Sequence, residues 1–160
     1  MNQWQKAELE IARLIGGCIV EDLVLQYKDI DVVTDLYSYS VKWQSLVAKY
    51  DSVLFETHLV DTTNNTTTKG SFPKCEADRY AIKWPDANNK TVWAIFDTTL
   101  LKEFIDDGEW KKQYTNSTTS NMNKKDGRTY NSTVMVCVPP SKLINCNAFL
   151  TGINTNQYKD

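Results

Sequence analysis

The fold of this chain is decided by residues 29–44, Asp29-Ile30-Asp31-Val32-Val33-Thr34-Asp35-Leu36-Tyr37-Ser38-Tyr39-Ser40-Val41-Lys42-Trp43-Gln44. β-Branched and aromatic residues dominate this stretch, and a short polar break divides it. This pattern predicts a β-hairpin with strands at 30–34 and 39–44. Because side chains alternate along a strand, we expect Asp31 and Lys42 to point to the same side of the sheet.

An aspartate and a lysine that converge from adjacent strands can carry phosphodiester chemistry. The carboxylate can hold Mg²⁺, the metal lowers the pKa of a bound water, and the ammonium orients that water or neutralises developing charge. The structural alternative is a cross-strand ion pair between Asp31 and Lys42, which contributes only about 0.2–1 kcal/mol. The two strands alone leave both interpretations open.

The N-terminal segment adds a third polar group. Its apolar residues recur at helical spacing before Gly16-Gly17, which predicts an amphipathic helix. Glu8 falls at the edge of the apolar stripe, from which a carboxylate can reach under the hairpin, whereas Glu10 lies on the other flank. An exposed boundary glutamate is the alternative for Glu8. The stripe consists of Trp4, Ala7, Ile11, Leu14, Ile15 and Cys18.

The remainder of the chain predicts one domain, residues 1–160, of α/β (α+β) class, in which helices flank a mixed central sheet. A strand at 52–60 is expected to follow the hairpin directly. We also expect a mobile basic loop at 111–131. The other predicted elements are strands at 23–25, 79–84, 91–96 and 134–138, a helix beginning at 100, and a loop at 61–71.

Composition excludes several classes of protein. Of the 160 residues, 41% are hydrophobic, which argues against a wholly disordered chain. No apolar run approaches the roughly 20 residues that span a bilayer, and no signal peptide is visible, so we expect a cytoplasmic protein, in the host cytoplasm if it is viral. Four widely spaced cysteines and one histidine, His58, do not match a zinc site or a redox motif, which predicts four reduced thiols.

Charge is unevenly distributed along the chain. The net charge is −2, but residues 1–60 carry five Lys/Arg against nine Asp/Glu. Residues 111–130 carry five cations against Asp126 alone. These cations are the expected contacts to a phosphate backbone, and a solvated loop is the alternative. They are Lys111, Lys112, Lys124, Lys125 and Arg128.

Glu8, Asp31 and the run Ser40-Val41-Lys42 resemble, in order and spacing, the motif of the PD-(D/E)XK nuclease superfamily. The segment 7–15 is similar to the first helix of archaeal Holliday-junction resolvases, and small phage or mobile-element nucleases also look like this chain. The resemblance covers about residues 4–60. It implies a restriction-endonuclease-like core, with Glu8 and Asp31 as metal ligands and Lys42 as the catalytic lysine.

One position departs from the family pattern. The family usually has Glu, Asp or Gln two residues before the lysine, where this chain has Ser40. A hydroxyl is a poor Mg²⁺ ligand beside a carboxylate. Gln44, on the same strand face as Lys42, or Glu56, on the following strand, could complete the catalytic set, and Glu56 could be a third metal ligand.

The resemblance therefore implies a DNA endonuclease that depends on Mg²⁺ or Mn²⁺ and is of phage or mobile-element type. The alternative from another class is an inactive protein of the same fold that binds DNA or protein as an inhibitor or accessory factor. The expected partner is DNA, and no interaction with a membrane is expected. The sequence leaves undecided whether the protein forms a homodimer.

Overall fold

The computed structural model describes residues 1–122 and 129–160. In chain order the elements are α1 (Gln3–Ile15), β1 (Cys18–Ile19), α2 (Leu23–Tyr27), β2 (Val32–Val33), β3 (Ser38–Trp43), α3 (Val47–Tyr50), β4 (Val53–Asp61), β5 (Thr66–Lys69), α4 (Ser71–Lys74), β6 (Arg79–Pro85), β7 (Thr91–Asp97), α5 (Thr98–Asp107), β8 (Lys111–Met122), β9 (Thr129–Val138), α6 (Pro140–Ile144), β10 (Phe149–Ile153) and a 3₁₀ helix (Asn156–Tyr158). Within the described ranges, no helix is long and apolar enough to cross a membrane.

The first sheet has six strands in the order β1-β2-β3-β6-β7-β10. It is mixed, because β3 and β6 run parallel while the other neighbouring strands are antiparallel. The β2–β3 hairpin pairs Val32 with Tyr39 and Val33 with Ser38, so its strands occupy the predicted region. β2 is shorter than predicted, and β3 has the predicted length but begins one residue earlier. The predicted α/β class, with a mixed sheet flanked by helices, is confirmed.

The second sheet has four antiparallel strands in the order β5-β4-β9-β8. The strand predicted at 52–60 exists as β4, but it does not extend the hairpin sheet. Instead α3 intervenes and ends at Asp51, whose φ of 50° turns the chain away. The chain then pairs with β9, where Val136 and Val138 supply a buried apolar face.

Three local predictions were wrong. Residues 23–25 begin the helix α2, because the Asp22 carboxylate accepts a hydrogen bond from Val24 N at 2.8 Å and so caps a helix. The predicted loop at 61–71 contains β5, and the segment 111–122 of the predicted loop at 111–131 is the strand β8. Both strands contain several threonines, a β-branched residue that favours strands, and each pairs with a neighbouring strand, β5 with β4 and β8 with β9.

Strand β3 lies between two apolar clusters. On one face, Ala7, Ile11 and Ala12 of α1 pack against a cluster that includes Tyr39 and Val41. The larger core occupies the other face and contains the fully buried Phe55, Trp84 and Phe96. Because side chains alternate, Ser40 and Lys42 point away from α1 and toward the larger core. The predicted helical stripe is only partly buried, since Trp4, Leu14 and Cys18 are exposed.

The Asp86 carboxylate stabilises the turn between β6 and β7 through its hydrogen bonds, and we expect this stabilisation to be lost at low pH. Its Oδ1 accepts hydrogen bonds from Lys90 N and Asn88 N, both at 2.9 Å, and its Oδ2 accepts from the Asn154 amide at 2.8 Å. The backbone bond from Lys90, followed by the bond from Asn154, lowers the pKa of Asp86 to about 2. The ionised form is therefore favoured in the folded state, relative to an ordinary aspartate pKa of about 3.9.

A group whose pKa is depressed by folding stabilises the protein above its unfolded pKa, and that stabilisation is lost as the pH falls through its folded pKa. We expect the contribution of Asp86 to be present above pH ~4 and to disappear between pH ~4 and about 2. Urea midpoints measured against pH should therefore fall more steeply for the wild type than for Asp86→Asn. Parallel curves for the two proteins would contradict the assignment.

Candidate active site

Lys42 forms an ion pair in the interior of the molecule. Its Nζ donates hydrogen bonds to Oδ1 and Oδ2 of Asp29 at 2.7 and 2.8 Å, and the two side chains are only 17% and 9% exposed. Burial alone lowers the pKa of Lys42, but the charge of Asp29 and its hydrogen bonds more than reverse this, so the pKa lies above its ordinary value. Lys42 is therefore a fixed ammonium.

Asp29 was not among the residues predicted for the site. It has a φ of 61°, in the left-handed region that aspartate and asparagine tolerate better than most residues. Its carbonyl oxygen lies 3.9 Å from the Cys75 sulfur. The sequence signal was the spacing of Asp29 and Asp31, two carboxylates at the entrance to the strand that pairs with the Lys42 strand.

Asp31 holds the edge of β3. Its backbone N–H donates to Tyr39 O at 2.8 Å, and its Oδ2 accepts a hydrogen bond from Val41 N at 2.7 Å. The first bond continues the β2–β3 ladder by one residue beyond Val32. By the alternation of the strand, Asp31 therefore falls on the Lys42 side of the sheet, and its negative charge contributes to the raised pKa of Lys42.

Glu8 of α1 is subject to the charges of Asp31 and Lys42. Burial raises the pKa of Glu8, the charge of Asp31 raises it further, and the charge of Lys42 lowers it. Glu10, on the other flank of the helix, forms an ion pair with Lys83 and accepts a hydrogen bond from the Trp93 indole at 2.8 Å. Glu8 is thus the glutamate of α1 on which the charges of Asp31 and Lys42 act, whereas Glu10 has Lys83 and Trp93 as its partners.

Gln44 joins the two sheets through the backbone of Leu54. Its Nε2 donates to Leu54 O and its Oε1 accepts from Leu54 N, both at 2.8 Å. This pair of bonds connects the end of β3 to β4. Both ends of the amide are therefore used to position β4, although the side chain also lines the cleft described below.

Gln44→Ala should consequently destabilise the fold by about 1–3 kcal/mol, because it leaves a partly buried N–H and C=O of Leu54 without their partner. Urea unfolding gives the loss directly. The matched control is Gln113→Ala, which changes an exposed glutamine of β8. A loss for Gln44→Ala no greater than that of Gln113→Ala would show that the connection between the sheets is dispensable.

Glu56 lies on β4, in the second sheet. Its Oε1 accepts a hydrogen bond from Ser71 N at 3.1 Å. Close contact is possible here because residue 70 is glycine; a Cβ at Gly70 would lie 2.7 Å from the Glu56 carbonyl oxygen. Across the described part of the chain, no three His, Cys, Asp or Glu side chains are grouped so that they could hold a metal ion. Glu8, Asp31 and Glu56 therefore do not form a three-ligand set.

Ser40 is sealed inside the protein. It is 0% exposed, and its Oγ has no hydrogen-bond partner among the residues described. The Cys75 thiol lies near it, and burial, followed by the charge of Asp29, raises the pKa of that thiol to about 11. The residue two positions before the lysine therefore has a buried, neutral hydroxyl and cannot supply a charged ligand.

A cleft of about 890 Å³ opens between the two sheets. Lys42, Gln44 and Glu56 line it, and so do Lys111 and Lys112 at the start of β8. Two of the cations predicted to contact DNA therefore share a cleft with predicted catalytic residues. The other three, Lys124, Lys125 and Arg128, lie outside the described residues.

Comparison of the chain with models of known protein families, with curated proteins and with solved structures gave no match. The function is therefore inferred from the geometry of the chain's own side chains.

Proposed function

We propose that this protein is a metal-dependent DNA endonuclease with a restriction-endonuclease-like core, of phage or mobile-element type. One observation carries the proposal: Asp31 lies on the Lys42 side of the sheet, where its carboxylate accepts a hydrogen bond from Val41 N, and Lys42 lines a cleft together with Lys111 and Lys112. The charges of Asp31 and Lys42 both act on Glu8 of α1. The fold is compatible with that core, because α1 packs on a mixed sheet in which Asp31 precedes one strand and Lys42 lies on the next.

The donor set fits a divalent cation. Mg²⁺ is commonly held by one or two protein carboxylates, with substrate phosphate and water as the remaining ligands. Glu8 and Asp31 provide two carboxylates near enough for the charge of Asp31 to act on Glu8. When bound, Mg²⁺ or Mn²⁺ would polarise the phosphate and make a water molecule more acidic. Ser40 is not one of the proposed metal ligands, and Glu56 lines the cleft.

The chain's own residues divide the remaining tasks. The Lys42 ammonium, fixed by both oxygens of Asp29, can stabilise the negative charge that develops on the phosphate or orient the attacking water. Lys111 and Lys112 can hold neighbouring phosphates without reading the bases. Gln44 acts indirectly, since it fixes β4 and hence Glu56 relative to β3. The proposed location is the cytoplasm, in keeping with four unpaired cysteine thiols.

Calorimetric titration with Mn²⁺ tests the cation site. We expect one binding event in the wild type that Asp31→Asn abolishes, because asparagine keeps the acceptor for Val41 N but removes the charge. The matched control is Asp35→Asn, which neutralises an exposed carboxylate four residues away and should leave the titration unchanged. Equal Mn²⁺ binding by the wild type and Asp31→Asn would refute the site.

A second candidate is a binding factor that has lost catalysis. The observation in its favour is Ser40, a buried neutral residue at the position where the family usually has an acid. Under this alternative, Lys42 and Asp29 form a structural ion pair, and the cleft binds DNA or a protein without hydrolysing DNA. It predicts no Mn²⁺ binding that depends on Asp31, so the same titration separates the two functions.

A further inference from the structure

The cleft between the sheets has an apolar rim that the hydrolytic chemistry does not need. Trp4 of α1, Leu46 just before α3 and Tyr50 of α3 all line it, and they are 48%, 55% and 61% exposed. Trp43 lines it as well. Large apolar side chains that remain exposed together around a concave site are typical of a surface that is covered by a ligand.

The same cleft is lined by cations. Lys111 and Lys112 lie on β8, in the other sheet. Lys49 is not part of the lining, but its Nζ lies 5.2 Å from the centre of the Tyr50 ring, which does line the cleft. Aromatic rings and ammonium groups around one groove are the combination that proteins use for single-stranded nucleic acid, in which bases stack on rings and phosphates meet the cations. A purely apolar partner would leave these lysines without counter-charges.

The size of the cleft limits the ligand. A volume of about 890 Å³ lies within the range of pockets that enclose small molecules, so it can admit a few nucleotides of one strand but not a duplex. In an intact duplex, moreover, both faces of each base are covered by neighbouring bases. Only a base that has left the stack can present a face to Trp4 or Tyr50.

We propose that this cleft binds an unpaired DNA strand, whose bases stack on Trp4 and Tyr50 while Lys111 and Lys112 contact its phosphates. The inference rests on the proposed function, because it names the substrate class of the same site. The preferred substrates are then single strands, loops and branch points, and the strand runs past Lys42 on its way through the cleft.

Binding without cleavage tests this inference on the whole protein. Fluorescence anisotropy in EDTA would compare a labelled single-stranded oligonucleotide with the matched blunt duplex. We expect the single strand to bind more tightly, and Trp4→Ala or Tyr50→Ala to weaken its binding by about fivefold to a hundredfold. Trp4 and Tyr50 both lie outside the buried core, so their removal spares it.

Two controls make the result specific. Tyr27→Ala removes a tyrosine that is 55% exposed on α2, outside the cleft, and should leave binding unchanged. The double variant Lys111→Ala/Lys112→Ala should weaken binding of the single strand and reduce its dependence on salt. Equal affinity for single strand and duplex, or unchanged affinity in Tyr50→Ala, would overturn the inference, as would occupation of the cleft by a protein that excludes the oligonucleotide.

Binding and cleavage measured together distinguish a failure of this inference from a failure of the nuclease proposal. Strong binding to the single strand without any cleavage in Mg²⁺ would support the inference and refute the nuclease. DNA cleavage that is unaffected by Trp4→Ala and Tyr50→Ala and shows no preference for unpaired strands would support the nuclease and refute this inference.

Discussion

Replacing Lys42 by methionine should destabilise the protein by about 3–5 kcal/mol, the range for removing one partner of a buried ion pair. Methionine keeps the length of the apolar stem, so little packing is lost. The cost arises at Asp29, whose carboxylate is 9% exposed and would lose the ammonium that binds both of its oxygens. Urea unfolding of the wild type and Lys42→Met measures the difference directly.

The double variant Asp29→Asn/Lys42→Met provides the control. Asparagine tolerates the φ of 61° at position 29, and the double change also removes the carboxylate charge that pairs with the Lys42 ammonium in the wild type. We therefore expect the double variant to recover more than half of the lost stability, which is the coupling expected of residues in direct contact. A loss below about 1 kcal/mol for Lys42→Met would contradict the burial and indicate an ordinary surface ion pair.

The local elements were largely predictable from the sequence. The period of apolar residues located α1, and two β-rich segments located β6 and β7. The strand prediction for residues 23–25 was wrong because a run of three apolar residues is compatible with a strand and with a helix equally well. The deciding feature was the capping carboxylate of Asp22, which lies outside the apolar run.

Which sheet a strand joins was not predictable. β4 alternates as a strand should, but nothing in its own residues distinguishes pairing with β3 from pairing with β9. That choice depends on contacts between residues far apart in the chain, such as Val53 with Val138. β8 was missed for a related reason, since its polar residues form a strand only because β9 lies beside it.

The candidate site was partly predictable. Alternation along the hairpin placed Asp31 and Lys42 on one side, and helical spacing put Glu8 at the edge of α1. Asp29 was missed because it precedes the strand, where alternation does not apply. The use of Gln44 was also missed, because its partner, the backbone of Leu54, belongs to a strand whose position was not known.

Neutralising either proposed metal ligand should have a large effect on the rate of DNA cleavage. If Glu8 and Asp31 hold a divalent cation beside Lys42, loss of either charge should lower the rate of phosphodiester hydrolysis by at least about a hundredfold. Asp31→Asn and Glu8→Gln keep the shape of each side chain. Asp31→Asn also keeps an acceptor for Val41 N, so the fold should persist. Asp35→Asn should retain the wild-type rate.

The most direct measurement is the initial rate at which purified protein nicks supercoiled plasmid and single-stranded circular DNA in Mg²⁺. We expect cleavage by the wild type and by Asp35→Asn, no cleavage in EDTA, and a rate at least about a hundred times lower for Asp31→Asn. Cleavage by Asp31→Asn at the wild-type rate, or no cleavage of either DNA by the wild type, would contradict the assignment of a nuclease site to Glu8, Asp31 and Lys42.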